Sequence, residues 1–75
     1  MKTYGNLSGT SGVTAYEIED EGILVEFNRD KIYRYTYTSA GRGAVEMMKT
    51  LAQQGRGLST YISRNVKERY EEIVK

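Results

Sequence analysis

The chain has 75 residues, a formal net charge of +1, 39% hydrophobic side chains and 8 glycines, with no cysteine, histidine, proline or tryptophan. Such a length makes one small domain, and the missing cysteines exclude disulfides and thiolate zinc, while the missing histidines remove the commonest metal ligand and the usual acid–base catalyst at neutral pH. It contains no run of 18 apolar residues and no signal-peptide h-region, so a soluble cytoplasmic protein with no membrane partner is expected.

Residues 1–10 are rich in Gly, Ser, Thr and Asn and read as a flexible arm, with 11–75 as a single domain. The stretch 13–19 reads as a strand, Tyr16 and Ile18 on one face and Ala15, Glu17 and Glu19 on the other. Asp20-Glu21-Gly22 reads as a turn in which glycine supplies a positive φ. A second strand over 23–27 alternates Ile23, Val25 and Phe27 against Leu24 and Glu26, and the polar run 28–31 returns the chain. The third strand, 32–37, sets Tyr33, Tyr35 and Tyr37 on one face and Ile32, Arg34 and Thr36 on the other.

A sheet with one apolar face needs a cover. Residues 42–54 supply a helical stripe of Ala44, Val45, Met47, Met48, Leu51 and Ala52, with Thr38 or Ser39 as cap and Gly55 as the left-handed stop. A second helical pattern over 59–73 repeats Ile62, Val66, Tyr70 and Ile73 or Val74. The expected fold is α+β: a three-stranded antiparallel β-meander followed by two α-helices packed on one face, or three if Asn65 divides the second.

The ordered series of these residues resembles the KTSC domain, a short module found at the C-terminus of some lysyl-tRNA synthetases and alone in small bacterial and phage proteins. The matching positions are Ser11-Gly12-Val13-x-x-Tyr16, Ile23-x-Val25-x-Phe27, the central Tyr33-Arg34-Tyr35, then Leu51, Ala52, Gly55 and Gly57, Leu58-x-x-Tyr61-Ile62, Val66 and Tyr70. The proline that many members carry after the central strand, and the asparagine of their Gly-rich segment, have no counterpart here. The resemblance implies a small α+β fold and, from the family's place beside a tRNA enzyme, a role on RNA.

Charge is unevenly spread. Between Val13 and Glu26 lie five acids and no base, whereas between Arg29 and Arg69 nine bases stand against three acids, a surplus of six. Such asymmetry marks a basic face, or simply a solvated surface. Arg56, Arg64, Lys67 and Arg69 suit phosphate, with Arg42 in Gly41-Arg42-Gly43 at a helix start and Tyr61 as a stacking ring. The competing readings have the glycines as helix punctuation and Arg64 and Lys67 in surface pairs with Glu68 and Glu71. Likewise the tyrosine stripe is either a base-stacking platform or the core face, and the lack of an apolar set opposite it favours the core. The acids of 17–26 lack the order of a calcium loop, and no catalytic constellation is present. The expectation is therefore a non-enzymatic module without cofactor or metal that binds RNA or another nucleic acid through Arg42, Arg56, Tyr61, Arg64, Lys67 and Arg69. The alternative is a protein-interaction module or homodimer using sheet edges or the arm.

Overall fold

The computed structural model describes residues 1–7, 9 and 11–75. It is a small α+β fold built on one antiparallel sheet of five strands: β1 (Lys2–Thr3), β2 (Val13–Glu19), β3 (Gly22–Phe27), β4 (Lys31–Thr36) and β5 (Glu72–Ile73), in that spatial order. Between β4 and β5 the chain forms α1 (Tyr37–Ala40), α2 (Arg42–Gln54) and α3 (Leu58–Tyr61), the last continuing as a π turn over Ile62–Val66. No helix among the described residues is long and apolar enough to cross a membrane.

The central strands follow the period-two pattern of their side chains. Tyr16 faces Val25, Ile18 faces Ile23, and Val25 and Ile23 face Tyr33 and Tyr35. A β-bulge between Val13 and Ala15 changes the phase of β2, so that Val13 and Tyr16, three positions apart, both enter the core. Over them lies α2, whose Val45, Met48 and Ala52 are buried at helical spacing. The helix has the expected bounds, and Gly55 ends it in the left-handed conformation, its N–H donating to the carbonyls of Leu51 (3.0 Å) and Ala52 (3.2 Å). Tyr35, Ile23, Val25, Val45, Met48 and Leu58 are fully buried and form the centre of the core.

Several expectations are corrected. Among the described residues the sheet has five strands rather than three, and the helix expected over 59–73 stops at Val66. There Lys67 N–H closes a wide turn on the Ile62 carbonyl (2.6 Å), and the chain turns back to the sheet. The three-four spacing of Val66 and Tyr70 imitates a helix, but the Tyr70 ring stacks on Tyr33 at 4.9 Å, and Glu71 and Glu72 reach Thr36 and Arg34 on β4. The end of the chain is thereby a strand. Within the expected arm, Lys2 and Thr3 pair with Tyr16 and Ala15, and Tyr4 is buried, its hydroxyl accepting from Leu58 N–H at 3.3 Å. Ser8 and Thr10, also part of that arm, lie outside the described residues.

Tyr37 leaves the stripe because Thr36 and Ser39 form a reciprocal capping box that starts α1 one residue early, and Gly41, not Thr38 or Ser39, precedes α2. Ile18 and Met47 were expected inside. Both are exposed, at 38% and 46%, so the covered area ends short of them. Gly22 does not have a positive φ. Its need for glycine is spatial, since a Cβ there would lie 2.5 Å from the Tyr35 carbonyl oxygen.

Candidate nucleic-acid interface

The β3–β4 hairpin and the α3–π segment enclose an open cleft of about 380 Å³ at one end of the sheet. Its floor is aromatic, formed by Phe27, Tyr33 and part of Tyr35, and Lys31 and Lys67 stand on either side with Ser59 and Ser63 on the helical wall. Asp30 supplies the single acid of the lining.

Both walls are fixed from below. In the hairpin, Asn28 and Arg29 take positive φ values of 54° and 57°, and Asp30 N–H donates to the Phe27 carbonyl at 2.9 Å. A primed turn of this kind matches strand twist. Its tip is tied to β2, with Asn28 N–H donating to the Gly12 carbonyl (2.8 Å) and Arg29 N–H to Thr14 Oγ1 (3.0 Å). On the opposite wall the buried Tyr35 hydroxyl donates to the Lys67 carbonyl at 3.0 Å, which holds the end of the π turn over the sheet. Burial, with Tyr33 and Tyr70 adding to it, pushes the Tyr35 phenol well above its ordinary range, so it remains a donor. Tyr33 is braced by Tyr70 on one side and tilts 49° to Phe27 at 5.6 Å. The rings are thus held in place before any ligand arrives.

Of the residues singled out by sequence, Lys67 lines the cleft and Arg64 is exposed on the same π turn, next to the cleft residue Ser63. Arg69 is exposed just beyond, its N–H bonded to the Val66 carbonyl. Arg56 is exposed between Gly55 and Gly57, at the entry to α3. Arg42 is not brought to this group. It begins α2, thirteen residues before Gly55, and at 1.5 Å per residue the two ends stand about 20 Å apart. Arg42 instead lies over the Tyr37 ring, 5.6 Å from its centroid. Tyr61 is half-buried against the core and does not line the cleft. The rings that do, Phe27 and Tyr33, read in the sequence as core face and are partly buried against the core, and nothing in the sequence points to Lys31. No local signal marks them, because the cleft joins segments about thirty residues apart.

No residue lining the cleft takes part in an ion pair among the described residues. Among the described residues the ion pairs are Met1 amino–Glu17 (3.8 Å), Arg34–Glu19 (3.1 Å), Arg34–Glu72 and Lys49–Glu46 (3.0 Å). Lys31, Arg56, Arg64, Lys67 and Arg69 make none, and Glu71, a proposed partner, accepts instead from Thr36 Oγ1 at 2.9 Å. On the face away from the helices Arg34 is the base between two carboxylates, whose hydrogen bonds, Glu19 before Glu72, raise its pKa. No group of three or more acids gathers as a metal site among the described residues. A larger hollow of about 540 Å³ beside the bulge includes Glu26, Thr14 and Arg29. There Thr14 Oγ1 donates to Glu26 Oε1 (2.9 Å) and accepts from Arg29 N–H, so its polar groups are already engaged with one another. Comparison with protein-family models, with curated proteins and with solved structures finds no match for this chain.

Proposed function

We propose that this chain is a non-enzymatic, cytoplasmic nucleic-acid-binding module, with RNA as its preferred partner, acting without metal or cofactor. The observation that carries the reading is that Lys31 and Lys67, neither ion-paired among the described residues, line a cleft with an aromatic floor, with Arg64 exposed on the adjoining π turn. Cations without carboxylate partners hold phosphates, and fixed rings accept bases; together they are the two parts that sequence-tolerant binding of a strand requires. Arg56 and Arg69 extend the positive surface along the helical wall, while Arg42, at the far end of α2, contributes steering rather than contact. The resemblance to the KTSC domain supports the same assignment, and membership of that family is part of the proposal.

The test is an equilibrium titration with single-stranded RNA, structured RNA and DNA at two salt concentrations, comparing the wild type with a variant carrying Arg56→Ala, Arg64→Ala and Lys67→Ala. Binding at low salt that weakens with added salt and is largely lost in the variant supports the proposal. No binding at low salt, or binding indifferent to both salt and substitution, overturns it.

A second reading is favoured by one observation. β1 covers only Ala15 and Tyr16 of β2, so Glu17, Ile18 and Glu19 have no outer strand among the described residues. A partner strand, or a second copy, would add there. Sedimentation that shows a monomer at all concentrations removes the second-copy form of this reading.

A further inference from the structure

We infer that the cleft between the β3–β4 hairpin and the π turn is the seat of one unpaired nucleotide, its base against Phe27 and Tyr33 and its phosphate between Lys31 and Lys67. This rests on the nucleic-acid reading and narrows its substrate class to single strands.

The chemistry of the cleft argues for a nucleotide. Phe27 is half-buried although it is the one phenylalanine of the chain and sits on the core side of β3. Its ring lies on the cleft floor beside Tyr33 and is only partly buried against the core. Aromatic area left open in this way, with a cation at either side and the Ser59 and Ser63 hydroxyls on the wall, matches a flat apolar ring that carries polar edges and an anionic group. A volume of about 380 Å³ accommodates one nucleotide. Inside a duplex the bases are stacked and their faces covered, so its backbone reaches the lysines while the rings stay empty. A strand, by contrast, offers a base face at every position.

The single phenylalanine makes the test direct. Protein labelled only at the phenylalanine ring gives one set of ring signals in NMR, all from Phe27. It is titrated with oligoadenylate, oligodeoxyadenylate, a blunt RNA duplex and adenosine monophosphate, while total binding is followed separately. The expected result is that both single strands shift the Phe27 signals in step with binding. The monophosphate shifts the same signals only at higher concentration, and the duplex binds without moving them. Phe27→Leu is expected to weaken single-strand binding about tenfold with duplex binding unchanged. Lys31→Ala, at an exposed position, guards against a folding artefact and is expected to weaken single-strand binding by several-fold.

Single strands that bind with Phe27 unmoved, or a duplex that moves it equally, overturn the cleft assignment and leave the basic edge standing. Monophosphate binding as tight as that of the oligomers overturns the strand part of the inference in favour of a free nucleotide. Absence of any nucleic-acid binding at low salt overturns both readings.

Discussion

Gly22 and Gly43 show how differently two glycines constrain one chain. A Cβ on Gly22 would lie 2.5 Å from the Tyr35 carbonyl oxygen, so β3 and β4 approach closely only because no side chain is there. A Cβ on Gly43, in the first turn of α2 and with no positive φ, meets nothing within 4 Å. Gly22→Ala is therefore expected to cost about 1–3 kcal/mol, the usual range for overpacking, whereas Gly43→Ala is expected to add about 0.5–1 kcal/mol by restricting the unfolded chain. Urea melts of the two variants check both signs, and equal effects would contradict the account. Glu46 adds a pH dependence. Hydrogen bonds from Tyr37 Oη (2.5 Å) and Lys49 Nζ (3.0 Å) hold its carboxyl below its ordinary value of 4.5. A depressed folded-state pKa contributes stability that is complete above 4.5 and is lost as the pH falls through the folded value. The stability gap between wild type and Glu46→Gln should accordingly shrink on acidification below 4.5. A gap constant from neutral to acid pH would remove Glu46 from this role.

At the scale of elements, β5 is the part held most by side chains. Its backbone contribution is short, with Glu71 N–H donating to the Arg34 carbonyl at 2.6 Å and Val74 N–H to the Ile32 carbonyl at 2.7 Å. Arg34–Glu72 and Thr36–Glu71 bonds, with the Tyr33–Tyr70 stack, supply the rest. Arg34→Met is expected to speed hydrogen exchange at the Glu71 and Val74 amides while leaving the β3 amides protected. Uniform loss of protection would mean that Arg34 supports the whole sheet. The same element marks where sequence reasoning runs out. The strands at 13–19 and 23–27 and the helix at 42–54 are legible because alternation and an apolar stripe repeat over enough residues to set a period, and glycine punctuates the helix. β1 and β5 are two residues each, too short for any period. Tyr4 and Tyr70 are fixed by partners more than thirty residues away, Leu58 for one and Tyr33 for the other. The basic residues were legible as a group, but which of them converge was not. That depends on where the chain leaves the helix at Lys67, a decision made by Tyr35 and Tyr70 rather than by local propensity.

Across the whole molecule, the ion pairs of the described residues lie outside the cleft. Glu19 of β2 and Glu72 of β5 flank Arg34, while Lys31 and Lys67 line one cleft, with Arg64 exposed on the π turn beside it, in a body of only 30 × 24 × 21 Å. On the proposed function, affinity comes mainly from these few contacts, since the formal net charge is only +1. The most direct test is the salt dependence of single-stranded RNA binding, taken as the slope of log K against log salt for the wild type and for the variant with Arg56→Ala, Arg64→Ala and Lys67→Ala. Each phosphate contact on a single strand contributes about −0.7 to that slope, so loss of three contacts should flatten it by about 2 units. A slope that is the same in both proteins, or one near zero in the wild type, would contradict the claim that these residues hold phosphate.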